Sequence, residues 1–369
     1  MTTTHRLRNP SHPLMETPMK RRTRPAQAQR DPMRLRVLAT ALVPMLALTA
    51  AACGGSDETT TSSGKRLDKV TLTLNWYPYG EHAPFYYGKK QKIFEKHGID
   101  LTIKAGQGSQ KTVQATGAGQ TDFGWADTPA LLAAVDKGVP VKSIGVFLQT
   151  TPASVQAFTS AGLKRPEDLK GRTIAGTAGD ALQRTFPVFL KKNGIAESEV
   201  KVQNTDPAGK IAAVLSGKSD GLMGFANDQG PIMAAKSGKP VSALRYSDFG
   251  VNFFSNGLLV GERKLKSDGD LAKRMVAATS ESWTAAQRDQ AGAVASMAGA
   301  SEQLPAPPVL TEQFKTTLTL LHTPATQGKA PGVNSEADWR QTISLFHQTG
   351  VITKAQEPSA YWQPQEPAQ

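Results

Sequence analysis

Thr121-Asp122-Phe123-Gly124-Trp125-Ala126-Asp127, followed by Gly138-Val139-Pro140-Val141, returns as Ser219-Asp220-Gly221-Leu222-Met223-Gly224-Phe225-Ala226-Asn227, followed by Gly238-Lys239-Pro240-Val241. Glycine, an aromatic, alanine and an acid or its amide recur at an offset of 100. Each copy reads as a buried strand running into a helix that a Gly-x-Pro turn closes before the next strand. Lys96-His97-Gly98-Ile99 is answered by Lys192-Asn193-Gly194-Ile195. Two similar lobes account for the recurrence; shared helix-end chemistry in unrelated segments is the competing account.

Outward from that repeat, strand and helix alternate. Val70 to Leu74 has the period of a strand, Phe85 to His97 that of a helix closed by Gly98, and Ile99 to Ile103 that of a strand again. The spacing predicts helix 109–118, strand 122–126, helix 129–137 and strand 141–148, then strand 172–176, helix 180–193, strand 200–204, helix 208–217, strand 221–225, helix 230–237 and strand 240–246. Such alternation implies an α/β chain of two doubly wound, mostly parallel lobes around a ligand cleft. Beyond residue 250 the pattern is helical, over 268–298, 311–321 and 335–348, with proline-rich breaks at 305–308 and 324–331.

The amino-terminal end is of another kind. Nine Lys or Arg and two acids occupy the first 36 residues, and the apolar run Val37 to Ala52 follows. Sixteen residues are too few to span a bilayer and suit the core of a signal peptide. Ala50-Ala51-Ala52-Cys53-Gly54-Gly55 ends it. This resembles a bacterial lipobox, in which Cys53 is acylated and becomes the mature terminus; Ala50 stands where leucine is usual, so plain cleavage is the alternative. Met33 is a second candidate start, which makes residues 1–32 an extension. The chain thus divides into a signal peptide with extension, 1–52; a flexible tether, 53–66; lobe 1, from 67–150 plus 251–369; and lobe 2, 151–250.

The leader also carries much of the charge. Without its nine bases and two acids the remaining 34 and 29 leave about +5 rather than +12, so the basic balance does not point to nucleic acid. Cys53 is the sole cysteine, which excludes internal disulfides, thiolate zinc sites and iron–sulfur clusters. No HExxH, Walker or GxSxG motif occurs, and Gly106-x-Gly108 lacks the rest of a dinucleotide fingerprint. The chain therefore reads as a binding protein, with no catalytic set, cofactor or metal.

In open α/β sheets ligands sit beyond the carboxyl ends of strands. In lobe 1 that places Asn75, Trp76 and Tyr77 with His82, then Gly108 and Ser109, then Trp125, Ala126 and Asp127. In lobe 2 it places Thr177 and Gly179, then Phe225, Asn227 and Asp228. Trp76, Tyr77, Trp125 and Phe225 offer flat walls for a planar heterocycle, the alternative being lobe core. Asp127, Asn227 and Asp228 offer acceptors for ring amino groups, the alternative being helix capping. The turns at Gly106 to Ser109 and Thr177 to Gly179 offer backbone N–H groups to an anion.

At Leu74-Asn75-Trp76-Tyr77-Pro78 with His82-Ala83-Pro84-Phe85, at Ile93-Phe94-Glu95-Lys96-His97-Gly98-Ile99, and at Gln120-Thr121-Asp122-Phe123-Gly124, the chain resembles the solute-binding proteins of bacterial ABC importers. The group it is most similar to holds the binders of thiamine-pyrimidine precursors and of sulfonates, nitrate and taurine. The resemblance implies a type II periplasmic-binding-protein fold whose lobes are joined by crossing strands and close on a small-molecule solute. It also implies a permease and an ATPase as partners, a membrane anchor through Cys53 and a monomeric state. Trp76 and His82 match the pyrimidine-binding branch; Tyr77-Pro78-Tyr79-Gly80 stands where that branch has Thr-Pro-Asn, which leaves room for a flavin such as riboflavin. The expected solute is a thiamine-related pyrimidine; alkanesulfonate, taurine or nitrate is one alternative, and a surface enzyme on the same fold another.

Overall fold

The computed structural model describes residues 66–365 apart from Gly179 and Pro207. The leader, Cys53 and all of the tether but Arg66 lie outside the described residues, as does Gly179. Among the described residues no helix is long and apolar enough to cross a membrane.

The first half runs β1 (Asp68–Thr73), α1 (Ala83–Lys90), α2 (Ile93–Lys96), β2 (Ile99–Lys104), α3 (Ser109–Gly117), β3 (Phe123–Asp127), α4 (Thr128–Asp136) and β4 (Val141–Val146). The second runs β5 (Ala153–Phe158), β6 (Thr173–Gly176), α5 (Ala181–Lys192), β7 (Lys201–Asn204), α6 (Gly209–Leu215), β8 (Gly221–Phe225), α7 (Gln229–Ser237) and β9 (Val241–Arg245). Then come β10 (Asn256–Gly261), α8 (Glu262–Ser267), α9 (Gly269–Arg288), α10 (Gln290–Ala295), α11 (Pro307–Leu318) and α12 (Glu336–Gln348).

Two five-stranded sheets result, ordered β2-β1-β3-β10-β4 and β7-β6-β8-β5-β9. In each, one strand runs against its neighbours: β10 is antiparallel to β3 and β4, and β5 to β8 and β9. These two strands are the departures from the sequence reading, which assigned neither and treated everything beyond residue 250 as helical. Both are buried along almost their whole length, so neither shows the polar alternation that marks a half-exposed strand. Each follows a passage of chain from one sheet to the other, between Val146 and Ala153 and between Arg245 and Asn256.

Three helices also depart from the sequence reading. The expected helix Phe85 to His97 breaks at Lys92, which sits at φ 60 and divides α1 from α2. The expected helix 268–298 breaks at Asp289, whose carboxylate caps α10 by accepting the Gly292 N–H. The helix expected from 311 starts earlier, at Pro307, where the fixed φ of proline suits a first turn.

One apolar cluster joins the first sheet to α1, α9, α10 and α11 through Phe85, Trp125, Phe147, Trp283 and Phe314. A second runs beneath both sheets, from Leu131 and Val155 to Phe189, Trp339 and Phe346. Residues 361–363 lie along the free edge of β4, where Ser143 N–H donates to Tyr361 O at 2.8 Å and Gln363 N–H to Ser143 O at 2.9 Å. This strap covers an edge that would otherwise present unpaired backbone groups.

Candidate functional site

The loops after β1, β2, β7 and β8 surround a cavity of about 460 Å³. Asn75, Trp76, Tyr77 and Tyr79 come from the first of these, Gly108 and Ser109 from the second and the helix start it leads into, Lys210 and Ile211 from the start of α6 beyond the third, Phe225 and Asp228 from the fourth. Both sheets thus contribute strand carboxyl ends, as ligand sites in open α/β sheets do.

The first-sheet wall is held by short local bonds. Gly106 N–H donates to Trp76 O at 3.1 Å and Gly108 N–H to Asn75 O at 2.8 Å, clamping the two loops together. A side chain on Gly106 would meet Leu74 O at 1.8 Å, and Gly108 sits at φ 114, so both positions need glycine. This corrects one expectation: the N–H groups of Gly106 and Gly108 are consumed inside the protein and are not offered to an anion. Ser109 Oγ likewise accepts the Asp127 N–H. Trp76 is 40% exposed and meets Tyr77 edge to face at 5.6 Å, at the cavity mouth.

Five further expected contacts lie behind the cavity wall. Trp125 is fully buried, between Phe85 at 4.9 Å and Trp283 at 5.8 Å, because it shares the core-facing side of β3 with Phe123. His82 is fully buried; its Nε2 donates to Asn75 Oδ1 at 2.8 Å and its Nδ1 accepts the Tyr79 N–H at 3.3 Å. Burial pushes its pKa down to about 3, so it stays neutral and braces the loop. Ala126 is buried and paired with Gly257 in the sheet. Asp127 is buried at the start of α4, where its Oδ1 accepts from Ser255 Oγ at 2.8 Å. Asn227 is fully buried, and its Nδ2 donates to Glu81 Oε2 and to Thr317 Oγ1. Thr177 follows β6; its buried hydroxyl has no partner among the described residues, and it does not line the cavity.

What gathers several of these residues is Glu81, a group the sequence reading passed over. Its carboxylate is fully buried and accepts four hydrogen bonds. Trp125 Nε1 and Asn256 Nδ2 donate to Oε1 at 2.7 and 2.6 Å; Tyr79 OH and Asn227 Nδ2 donate to Oε2 at 2.5 and 2.9 Å. Four donors fill the acceptor sites of an ionised carboxylate, although no cation pairs with it among the described residues. Burial raises its pKa and the four bonds hold it back. The donors come from the loop after β1, from β3, from the end of β8 and from the start of β10, so the carboxylate ties both sheets together beneath the cavity.

One acid, Asp228, and one base, Lys210, line the cavity. Burial, aided by the charge of Glu81, lifts Asp228 to about 7, while Lys210 pulls it back. Asp228 Oδ2 accepts from Gln229 Nε2 and Oδ1 from Gln313 Nε2. Lys210 was also missed, since a lysine at a helix start reads as solvated; it is 5% exposed, and its Nζ donates to Met223 O at 2.9 Å. Burial lowers its pKa, and Asp180 and Asp228 counter that. Among the described residues no group of acids and histidines is placed to hold a metal. Aromatic walls, a recessed carboxyl and a buried ammonium suit the binding of a flat, polar-edged molecule.

Known proteins share the fold. The periplasmic aliphatic sulphonate binding protein SsuA of Escherichia coli superposes with a TM-score of 0.64 at 17% identity, over 80% of this chain and 98% of its own; the fold is that of a periplasmic binding protein. The riboflavin-binding protein RibY of Chloroflexus aurantiacus is 25% identical over 67% of this chain and 73% of its own length. The formylaminopyrimidine-binding protein of Halalkalibacterium halodurans is 22% identical over 58% of this chain and 64% of its own. Most of the matched relatives are named as binding proteins, though one is named as a pyrimidine phosphate synthase. The family model described as NMT1/THI5 like matches residues 80–293, more than half of the sequence, and the chain belongs to that family.

Proposed function

We propose that this protein is the solute-capturing component of an ABC importer, and that its solute is a planar nitrogen heterocycle, first of all a thiamine-related pyrimidine. The observation that carries this reading is the 460 Å³ cavity between the strand ends of both sheets, walled by Trp76, Tyr77 and Phe225 with Asp228 inside. The aromatic faces take the ring and the carboxylate accepts from its amino group. Capture draws the halves together about the two passages that lead into β5 and β10, and the closed form is what a permease and its ATPase recognise. An acylated Cys53 would hold the protein at the membrane as a monomer.

Two features support a flavin as the second reading. The cavity is roomier than one six-membered ring requires, and a relative covering two thirds of the chain is named for riboflavin.

Thermal unfolding against aminopyrimidines, riboflavin, taurine, alkanesulfonates and nitrate tests the reading. A solute at 100 times its dissociation constant adds roughly 2.7 kcal/mol and raises the midpoint by several degrees. The rise is expected with a heterocycle and is expected to vanish in Trp76→Ala, whose unliganded midpoint stays near wild type because the ring is already 40% exposed. A rise with sulfonates alone would remove the heterocycle from the proposal.

A further inference from the structure

Lys210 is the one cation among the described residues that line the cavity. An ammonium carries three donors. One is spent on Met223 O at 2.9 Å, and among the described residues no carboxylate lies within ion-pair distance. The side chain is 5% exposed, so the other two donors have little access to bulk water. When a solute fills the cavity it displaces the water there, and a buried ammonium left without acceptors is costly. The solute must therefore bring an acceptor.

The charges nearby decide what kind. Asp180 and Asp228 both act on Lys210, and of the two Asp228 lines the cavity, so two carboxyls already accompany one ammonium. An anionic acceptor would meet that surplus of negative charge. A neutral carbonyl oxygen accepts from the ammonium without adding to it, while Asp228 accepts from a neighbouring N–H.

We propose that Lys210 Nζ donates to a carbonyl oxygen of the solute, so that the cavity selects heterocycles bearing an oxo or acyl group over bare aminopyrimidines and over sulfonates. This rests on the cavity being the solute site. It names the edge chemistry that site demands.

Titration calorimetry of the purified protein, wild type and Lys210→Met, provides the test. The probes are riboflavin and a formylaminopyrimidine, which carry carbonyls, and the matching aminopyrimidine alcohol, which does not. The methionine keeps the aliphatic stem and removes only the donors. A hydrogen bond to a charged group is worth roughly 10- to 100-fold in affinity. Lys210→Met is expected to weaken the carbonyl-bearing probe that binds wild type by about that factor and to leave the alcohol within about 2-fold. Lys210→Gln, which retains a neutral donor, is expected to recover part of the loss. Equal weakening of every probe, or no change for the carbonyl-bearing ones, overturns the role of Lys210 while leaving the heterocycle reading standing. If none of the three binds wild type, both readings fall together.

Discussion

Asp127→Asn turns the buried acids into a measurable pH dependence. Asp127 is 8% exposed, and burial lifts its carboxyl from 3.8 to about 7. Folded protein therefore keeps this proton up to about pH 7, whereas the unfolded chain releases it near pH 4. Between those values the native state holds the extra proton, so its stability falls as pH rises and levels off above about pH 8. A shift of roughly 3 units at 1.36 kcal/mol each amounts to about 4 kcal/mol. In the asparagine variant this loss is absent, while the Ser255 Oγ bond to Oδ1 is retained. At pH 4 the neutral acid and the amide are near-isosteric, and the two proteins are expected to be close in stability. By pH 8 the variant is expected to be the more stable by about 4 kcal/mol. Urea unfolding of both proteins at unit steps from pH 4 to 8 reads this, because every titrating group that does not interact with Asp127 cancels in the difference, Glu81 and Asp180 being the ones that do. A difference that stays flat across the range would refute a shifted Asp127 and, with it, the account of an acidic, desolvated floor beneath the cavity.

Two further substitutions probe the frame of the site. Glu81→Ala leaves Tyr79 OH, Trp125 Nε1 and the amides of Asn227 and Asn256 without their shared acceptor; a loss of roughly 3–5 kcal/mol is expected in urea unfolding. Gly106→Ala sets a methyl group 1.8 Å from Leu74 O, so the clamp between the loops after β1 and β2 must open; solute affinity is expected to drop at least about 10-fold, with a lower thermal midpoint, as for other strained backbone sites.

The parallel strands were legible because helices separate them and glycines close those helices. Strands β5 and β10 were not, for burial on both faces erases the period that distinguishes a strand from any other apolar run. Trp76, Tyr77, Phe225 and Asp228, which line the cavity, were singled out by their place after strands, a rule of topology. The rule cannot tell which way a side chain turns. Trp125 had a usable signal, since Phe123 two residues earlier puts it on the same face of the pleat as a core aromatic. His82 drew attention as the chemically versatile residue, while Glu81 beside it, ordinarily a surface type, holds the network. Lys210 carries no local signal, because its burial is decided by how α6 packs on β8, the next strand, whose Met223 supplies the carbonyl.

The insertion of β10 between β3 and β4 also sets a schedule for the growing chain. The second sheet uses only residues 153–245, whereas the first, although begun at Asp68, has no strand between β3 and β4 until Gly261 has been made. As the polypeptide leaves the ribosome at roughly 5–20 residues per second, the earlier-synthesised half waits with a gap in its middle while the later half completes itself. The half that is translated first is thus the half that matures last, and for those seconds its apolar strands are what a holdase chaperone would find.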